Sequence, residues 1–324
     1  MSPSLAGVGG AMLLRKLILL AAVGLPGTVS GVELPTMFGN HAVLQRGEAV
    51  PVWGWANPSE SVKVSFAGQS KQAVANEKGE WRIELAAMTA SAKGRELVVT
   101  GSKSGTVTVS DLLVGEVWMA SGQSNMQWAL SATERAKEDL PKAIFPAVRM
   151  FLTDLVTAAT PQRRVGGKWY ETTPENAGKF SAVGYYFAKR LRRRLNVPVG
   201  LIDTSWGGTM AQHWCSKETL LDIPEALPYV KQFDSAMRAW NDGGGESGAQ
   251  KRYQVDLKKW EADRVAAKAA GDREPRRPNA DAYKNPVFKR QPAGMFNGML
   301  APIAHYTVPG VLFYQGENNS FSVS

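Results

Sequence analysis

Three short polar stretches each follow an apolar run. "VWMAS" gives way to Gly122, Gln123, Ser124 and Asn125; "VGLID" to "TSWGGT", which holds Gly207 and Gly208; and "VLFYQ" to Gly316, Glu317, Asn318 and Asn319. A serine hydroxyl is a weak nucleophile, so it must be exposed and paired with a base, and the developing oxyanion needs preorganised N–H donors. Ser124 could supply the hydroxyl, and its own backbone N–H a first donor. The glycine loop could supply a second, because a residue without Cβ lets the backbone approach a substrate closely. The side-chain amide of Asn319 could supply a third. Together these are the groups that acyl transfer requires. Singly, each stretch reads as a turn.

Three such loops meet only if the runs before them are parallel strands, since ligands of open α/β sheets bind outside the carboxyl ends of the strands. "EVWMAS", "VRMFLTD" from Val148, "VPVGLID" from Val197 and "PGVLFYQ" from Pro309 read as short buried strands. Between the second and third, Val183, Tyr186, Phe187, Leu191 and Leu195 recur at helical spacing. The pattern predicts an α/β class fold with a parallel sheet covered on both faces. Earlier in the chain the period is two: Val62, Val64 and Phe66 alternate with Lys63 and Ser65, and Trp81, Ile83 and Leu85 with Arg82 and Glu84. That predicts a small β-sandwich over 32–111 ahead of an α/β domain over 112–324. The segment 217–290 breaks the rhythm. Its charged, Ala-rich stretch carries Tyr253, Leu257, Trp260 and Val265 on one side, ends at Gly271, and is followed by a proline-rich connector. It reads as a helical insertion, either a lid or rim over a substrate or a surface decoration.

The 324 residues, 44% hydrophobic and 21% charged, suit a globular chain of two domains. Arg15 and Lys16 precede an apolar run from Leu17 to Leu25 and then small residues, which predicts a signal peptide over 1–31 and a secreted or periplasmic protein. The run is too short to span a bilayer and no later stretch does, so no stable membrane insertion is expected. Cys215 is the only cysteine, which excludes an intrachain disulfide and a thiolate metal site; beside Trp214 it reads as a packing residue. The formal charge of +9 favours acidic partners. In "KRLRRRL" Leu191 and Leu195 stand four apart, so the arginines read as the solvated face of a helix. With no aromatic-interleaved basic patch, nucleic acid is not an expected partner.

"GEVWMASGQSNMQW", "GLIDTSWGGTMAQHW" and "MFNGMLAPIAHYTVPGVLFYQGENN" resemble the sialate O-acetylesterase family of the SGNH hydrolase superfamily. "LPTMFGNHAVLQRGEAVPVWGWANPSESVKV" is similar to the β-domain opening of its bacterial members. The resemblance covers nearly the whole mature chain. It implies an SGNH-type, flavodoxin-like parallel sheet preceded by a small β-sandwich. It also implies Ser124 as nucleophile, Gly208 and Asn319 joining its N–H in the oxyanion hole with Gly207 as the alternative to Gly208, and acetyl esters of sialic acid or other carbohydrates as substrates. No metal or organic cofactor is implied. Asn318 stands where the family commonly has serine. The family takes its base from an Asp-x-x-His segment beyond the third block. Here His41, His213 and His305 are the only histidines, none has an aspartate three residues before it, and the sequence stops at Ser324. The expectation is therefore an incomplete hydrolase domain, with His213 as a packing or rim residue. The alternative function is a non-catalytic carbohydrate-binding or degenerate esterase fragment, in which Trp206 and Trp214 hold sugar without turnover.

Overall fold

The computed structural model describes residues 31–286 and 291–320. The expected signal peptide lies outside the described residues except for Gly31. The period-two region forms β1 (Val43–Gln45), β2 (Val50–Trp55), β3 (Ser61–Phe66), β4 (Gln69–Val74), β5 (Glu80–Leu85) and β6 (Ser91–Gly101), followed by the long β7 (Gly105–Gly122). β4, β3, β6 and the first half of β7 make one antiparallel array, and β2 pairs separately with β5. In β3 Val62, Val64 and Phe66 are buried while Lys63 is exposed, the alternation that a sheet with one covered face requires.

The expected boundary at 111/112 falls inside β7. At Asp111, φ is +60° and the register with β6 shifts, so one strand changes partners. Its first half is antiparallel to β6; its second half is parallel to β1. The two halves share a core, in which Val62, Phe66 and Trp81 pack in one cluster with Val117, Phe151, Trp169 and Ile202. Arg149 secures the bend: its guanidinium lies 2.8 Å from the Asp111 carboxylate and 3.2 Å from Glu171, and it also donates to the Asp111 carbonyl. His41, Asp111 and Glu171 are close enough together to hold a metal ion. The buried guanidinium already supplies the positive charge there and would repel a second cation.

The remaining strands are β8 (Phe145–Thr153), β9 (Gly167–Thr172), β10 (Val199–Asp203) and β11 (Gly310–Tyr314). The spatial order is β9-β8-β10-β7-β11. β8, β10, β7 and β11 are the four expected parallel strands. The sheet as a whole is mixed, not parallel. β9, whose weak alternation gave no strand signal, lies antiparallel on the β8 edge and buries Trp169, and the antiparallel array runs into the same sheet through β7. In β11, Val311, Phe313 and Tyr314 are half-exposed, so among the described residues this run is apolar without being buried.

The helices are α1 (Ser124–Gln127), α2 (Ala136–Asp139), α3 (Pro174–Ala177), α4 (Ala182–Leu195), α5 (Lys217–Leu221), α6 (Leu227–Asp242) and α7 (Gly245–Ala270). Ser181 caps α4 by accepting from the Gly184 N–H at 3.0 Å, and Asn196 closes it in the left-handed region. The buried face of α4 is Ala182, Gly184, Tyr185 and Ala188, whereas Val183, Tyr186 and Leu195 are exposed. The expected apolar face is thus rotated. Close approach decides it at Gly184, where a Cβ would stand 2.4 Å from the Leu201 side chain. α7 ends at Gly271 in the left-handed region, as expected. It buries only Ala249, and Val265 is exposed. Trp260 is tied instead to the connector, donating to the Pro275 carbonyl at 2.9 Å. Among the described residues no helix is long and apolar enough to cross a membrane.

Candidate active site

Because β10, β7 and β11 are parallel neighbours, their carboxyl ends open on the same edge of the sheet, with β7 in the middle. Gly122 turns the chain out of β7 at φ +131°, and a Cβ there would lie 2.0 Å from the Tyr314 carbonyl oxygen. Only glycine allows β11 to pass so close. Ser124 follows as the first residue of α1 and is exposed. Among the described residues its hydroxyl has no hydrogen-bond partner.

Each flanking loop is tied to this turn. On the β10 side the Trp206 N–H donates to the Gly122 carbonyl at 2.8 Å, and the Gly207 N–H donates to Gln127 Oε1 at 2.7 Å. A Cβ on Gly207 would stand 3.3 Å from Ser124 Cβ. With the Gly207 N–H engaged, the Gly208 N–H, at φ +75°, is left without a hydrogen bond among the described residues. On the β11 side the buried Gln123 is the link. Its Oε1 accepts from Gln315 Nε2 at 2.9 Å and from the N–H groups of Asn318 and Gly316 at 3.3 and 3.4 Å. Asn125 donates to the Glu317 carboxylate. Asn319 joins the two outer loops: its Oδ1 accepts from the Ala211 N–H at 2.9 Å and its Nδ2 donates to Gln212 Oε1 at 2.8 Å. An amide NH₂ carries two hydrogens, so one remains for a ligand. Gln123 and Gln127, to which the sequence reading gave no role, are the residues that hold the loops together. Two long amides flanking a serine within four positions were the available signal.

Beside Ser124 lies an open cleft of about 770 Å³, with Gln127, Trp128, Ser131, Glu175 and Lys179 on its walls. A second cavity of about 410 Å³ is lined by Trp53, Trp55 and Trp81, but these rings are buried and serve the core.

No family model matches the chain. It is 26% identical over 320 residues to the mouse (Mus musculus) sialate O-acetylesterase, covering 90% of this chain and 52% of that protein. With the human protein of the same name it shares 25% over 310 residues, covering 89% and 49%. Among solved structures, a carbohydrate acetylesterase from Xanthomonas citri superposes with a TM-score of 0.65 at 30% identity, covering 89% of this chain and 52% of that one. Over about nine-tenths of its own length the chain is thus similar to proteins named sialate O-acetylesterase and to a carbohydrate acetylesterase. It spans about half the length of the curated relatives it matches.

Among the described residues none of the three histidines hydrogen-bonds Ser124. His213 is buried: its Nδ1 accepts from the Met210 N–H at 3.1 Å, which places the ring proton on Nε2, 2.8 Å from the Tyr229 hydroxyl. It is a packing residue joining the second loop to α6. His41 bonds Asp111 at 2.7 Å, and His305 lies edge-on to Trp53. Trp214 is buried against Met295 and Met299 with its indole N–H on Thr209 at 3.0 Å, and Trp206 packs in the same cluster. Trp214 is a packing residue, not a sugar platform, whereas Trp206 is only half-buried. Cys215 also packs, and burial pushes its thiol up.

Asp203 ends β10 beneath the glycine loop. Burial pushes its carboxyl up to about 6, although the Ser205 hydroxyl at 2.5 Å and N–H at 2.9 Å favour the charged form. A folded-state pKa above the unfolded value means that its contribution is fully present below about 4 and is lost as pH rises through about 6. Two units correspond to at most about 3 kcal/mol. Asp203→Asn cannot titrate. Urea denaturation should therefore show the variant gaining on the parent between pH 4 and 6, by up to that amount; a constant gap would mean that Asp203 ionises normally.

Proposed function

We propose that this chain is a serine esterase that removes O-acetyl groups from carbohydrates, sialic acid among them. The observation that carries the reading is the exposed Ser124 at the end of the central strand β7, with a glycine loop and an asparagine loop tied to its two sides. In the proposed reaction Ser124 Oγ attacks the acetyl carbonyl carbon while its proton passes to a base from solvent, since among the described residues no side chain hydrogen-bonds that hydroxyl. The oxyanion is met by the N–H groups of Ser124 and Gly208 and by the free hydrogen of Asn319 Nδ2. Collapse expels the sugar oxygen, which takes the proton, and water then releases acetate from Ser124. The relatives' names support the substrate class.

The finer architecture follows the same reading. The parallel order β8-β10-β7-β11, with the polar loops after β10, β7 and β11 at one edge of the sheet, supports an SGNH-type α/β core. The array β4-β3-β6-β7 with β2-β5 is read as a small β-sandwich over 32–111, which shares β7 with a hydrolase domain over 112–324. The pattern over 1–31 supports export to the periplasm or beyond. A second reading, sugar binding without turnover, is favoured by one observation, the unpaired Ser124 hydroxyl.

The test is covalent. An activated ester such as p-nitrophenyl acetate carries a good leaving group and needs little help to acylate Ser124, whereas deacylation needs an activated water. Mass spectrometry should find one acetyl group on the peptide that carries Ser124, and none there in Ser124→Ala. Acetyl groups distributed over surface lysines, with Ser124 unmodified, would overturn the reading.

A further inference from the structure

Resting on the esterase reading, we propose that Trp128 and Lys179 select the substrate, Trp128 as a stacking platform for the sugar ring and Lys179 as the cation for a carboxylate on that sugar. Both stand in the cleft that holds Ser124. Trp128 is 54% exposed, whereas Trp53, Trp55, Trp81, Trp169 and Trp214 are each buried. It is also fixed. Its indole N–H donates to the Ala132 carbonyl at 3.3 Å, and its own carbonyl accepts from the Ala182 N–H at 2.8 Å at the start of α4. A large ring held open to water beside a nucleophile suits the apolar face of a pyranose.

Lys179 is exposed on the wall of the cleft, and among the described residues it has no carboxylate partner. Its ammonium lies over the Tyr170 ring at 4.2 Å, with Lys168 at 5.5 Å from the same ring. An aromatic face orients a cation without neutralising it, so the charge stays available to a ligand anion. The one acid in the cleft is Glu175. Hydrogen bonds from the Thr173 hydroxyl and from its own N–H lower its pKa, so it stays ionised. It can accept hydrogen bonds from sugar hydroxyls. The substrate class this combination fits is an acetylated pyranose bearing a carboxylate, bound with the carboxylate at Lys179 and the acetyl group at Ser124.

The test is a titration of the full chain carrying Ser124→Ala, so that nothing is consumed, with O-acetylated N-acetylneuraminic acid and with its methyl ester. The two differ in the carboxylate charge and by one methyl group. Calorimetry should show the acid binding at least tenfold more tightly than the ester. Lys179→Met should abolish that difference, and Trp128→Ala should weaken both ligands about tenfold, with Trp128→Phe recovering part of the loss. Equal binding of acid and ester, loss of both to the same degree in Lys179→Met, or no saturable binding of either would overturn the proposal. Both side chains are exposed, and circular dichroism of each variant checks that it has folded. Acetylation of Ser124 in the parent chain reports on the esterase reading separately: a labelled Ser124 without acid preference sinks only the selectivity, and an acid preference without labelling sinks only the chemistry.

Discussion

This chain should hydrolyse p-nitrophenyl acetate only marginally, and added imidazole should raise the rate through Ser124. The Ser124 hydroxyl has no partner among the described residues, and each histidine is held elsewhere: His213 between Met210 and Tyr229, His41 on Asp111, His305 against Trp53. Attack must then begin from a neutral hydroxyl. Where a triad member is lost, the oxyanion donors and binding retain roughly 10³-fold to 10⁴-fold over water, a small part of what a complete triad delivers. Free imidazole is a base of suitable pKa and can reach an exposed hydroxyl. Since imidazole also attacks this ester directly, the quantity to measure is the difference between the parent chain and Ser124→Ala at each imidazole concentration. That difference should grow with imidazole. Vigorous hydrolysis without imidazole, abolished by His213→Ala, would show instead that His213 leaves its buried position to act as the base.

The second large effect is on stability, at Glu60. Its side chain is inaccessible to solvent and among the described residues has no ion-pair partner; its partners are hydrogen-bond donors. Oε1 accepts from the Lys103 N–H at 2.7 Å and from the Ser104 N–H and hydroxyl at 2.7 and 2.8 Å. Oε2 accepts from the Asn57 N–H and Nδ2 at 3.1 and 2.9 Å. Burial alone would push the carboxyl up, but the donors from Lys103, Ser104 and Asn57 outweigh it and hold the pKa at about 2. Glu60→Ala leaves these donors facing an apolar void, and at about 1 to 3 kcal/mol for an unsatisfied buried group it should cost at least about 3 kcal/mol. Glu60→Gln separates charge from shape. A folded pKa depressed below its ordinary 4.5 contributes stability above that value and loses it as pH falls through about 2. At about 1.4 kcal/mol per unit the contribution is roughly 3 kcal/mol at neutral pH. Denaturation midpoints should therefore place Glu60→Gln well below the parent at pH 7, with the gap closing as pH falls from 4.5 towards 2. A gap independent of pH would mean that the carboxylate charge contributes nothing.

The sequence by itself determined the local chemistry and most of the elements. The polar stops after three apolar runs marked Ser124, the glycine pair and Asn319, since turn residues and hydrophobic period are read over a few neighbours. The four parallel strands, the first-half alternation and the end of α7 at Gly271 follow from the same short-range signals. Tertiary structure decided what depends on distant partners. The placement of β7 between β10 and β11 brings the three loops together, and Gln123 and Asn125 reach residues 192 positions away. Gly208 is distinguished from Gly207 only because Gln127 takes the Gly207 N–H. The buried face of α4 depends on Leu201 lying under Gly184, and the pairing of β9 with β8 depends on Trp169 finding the Met37 carbonyl. Periodicity states which residues prefer burial; it carries no information about which neighbour will bury them, because that energy belongs to contacts formed only when the sheet has closed.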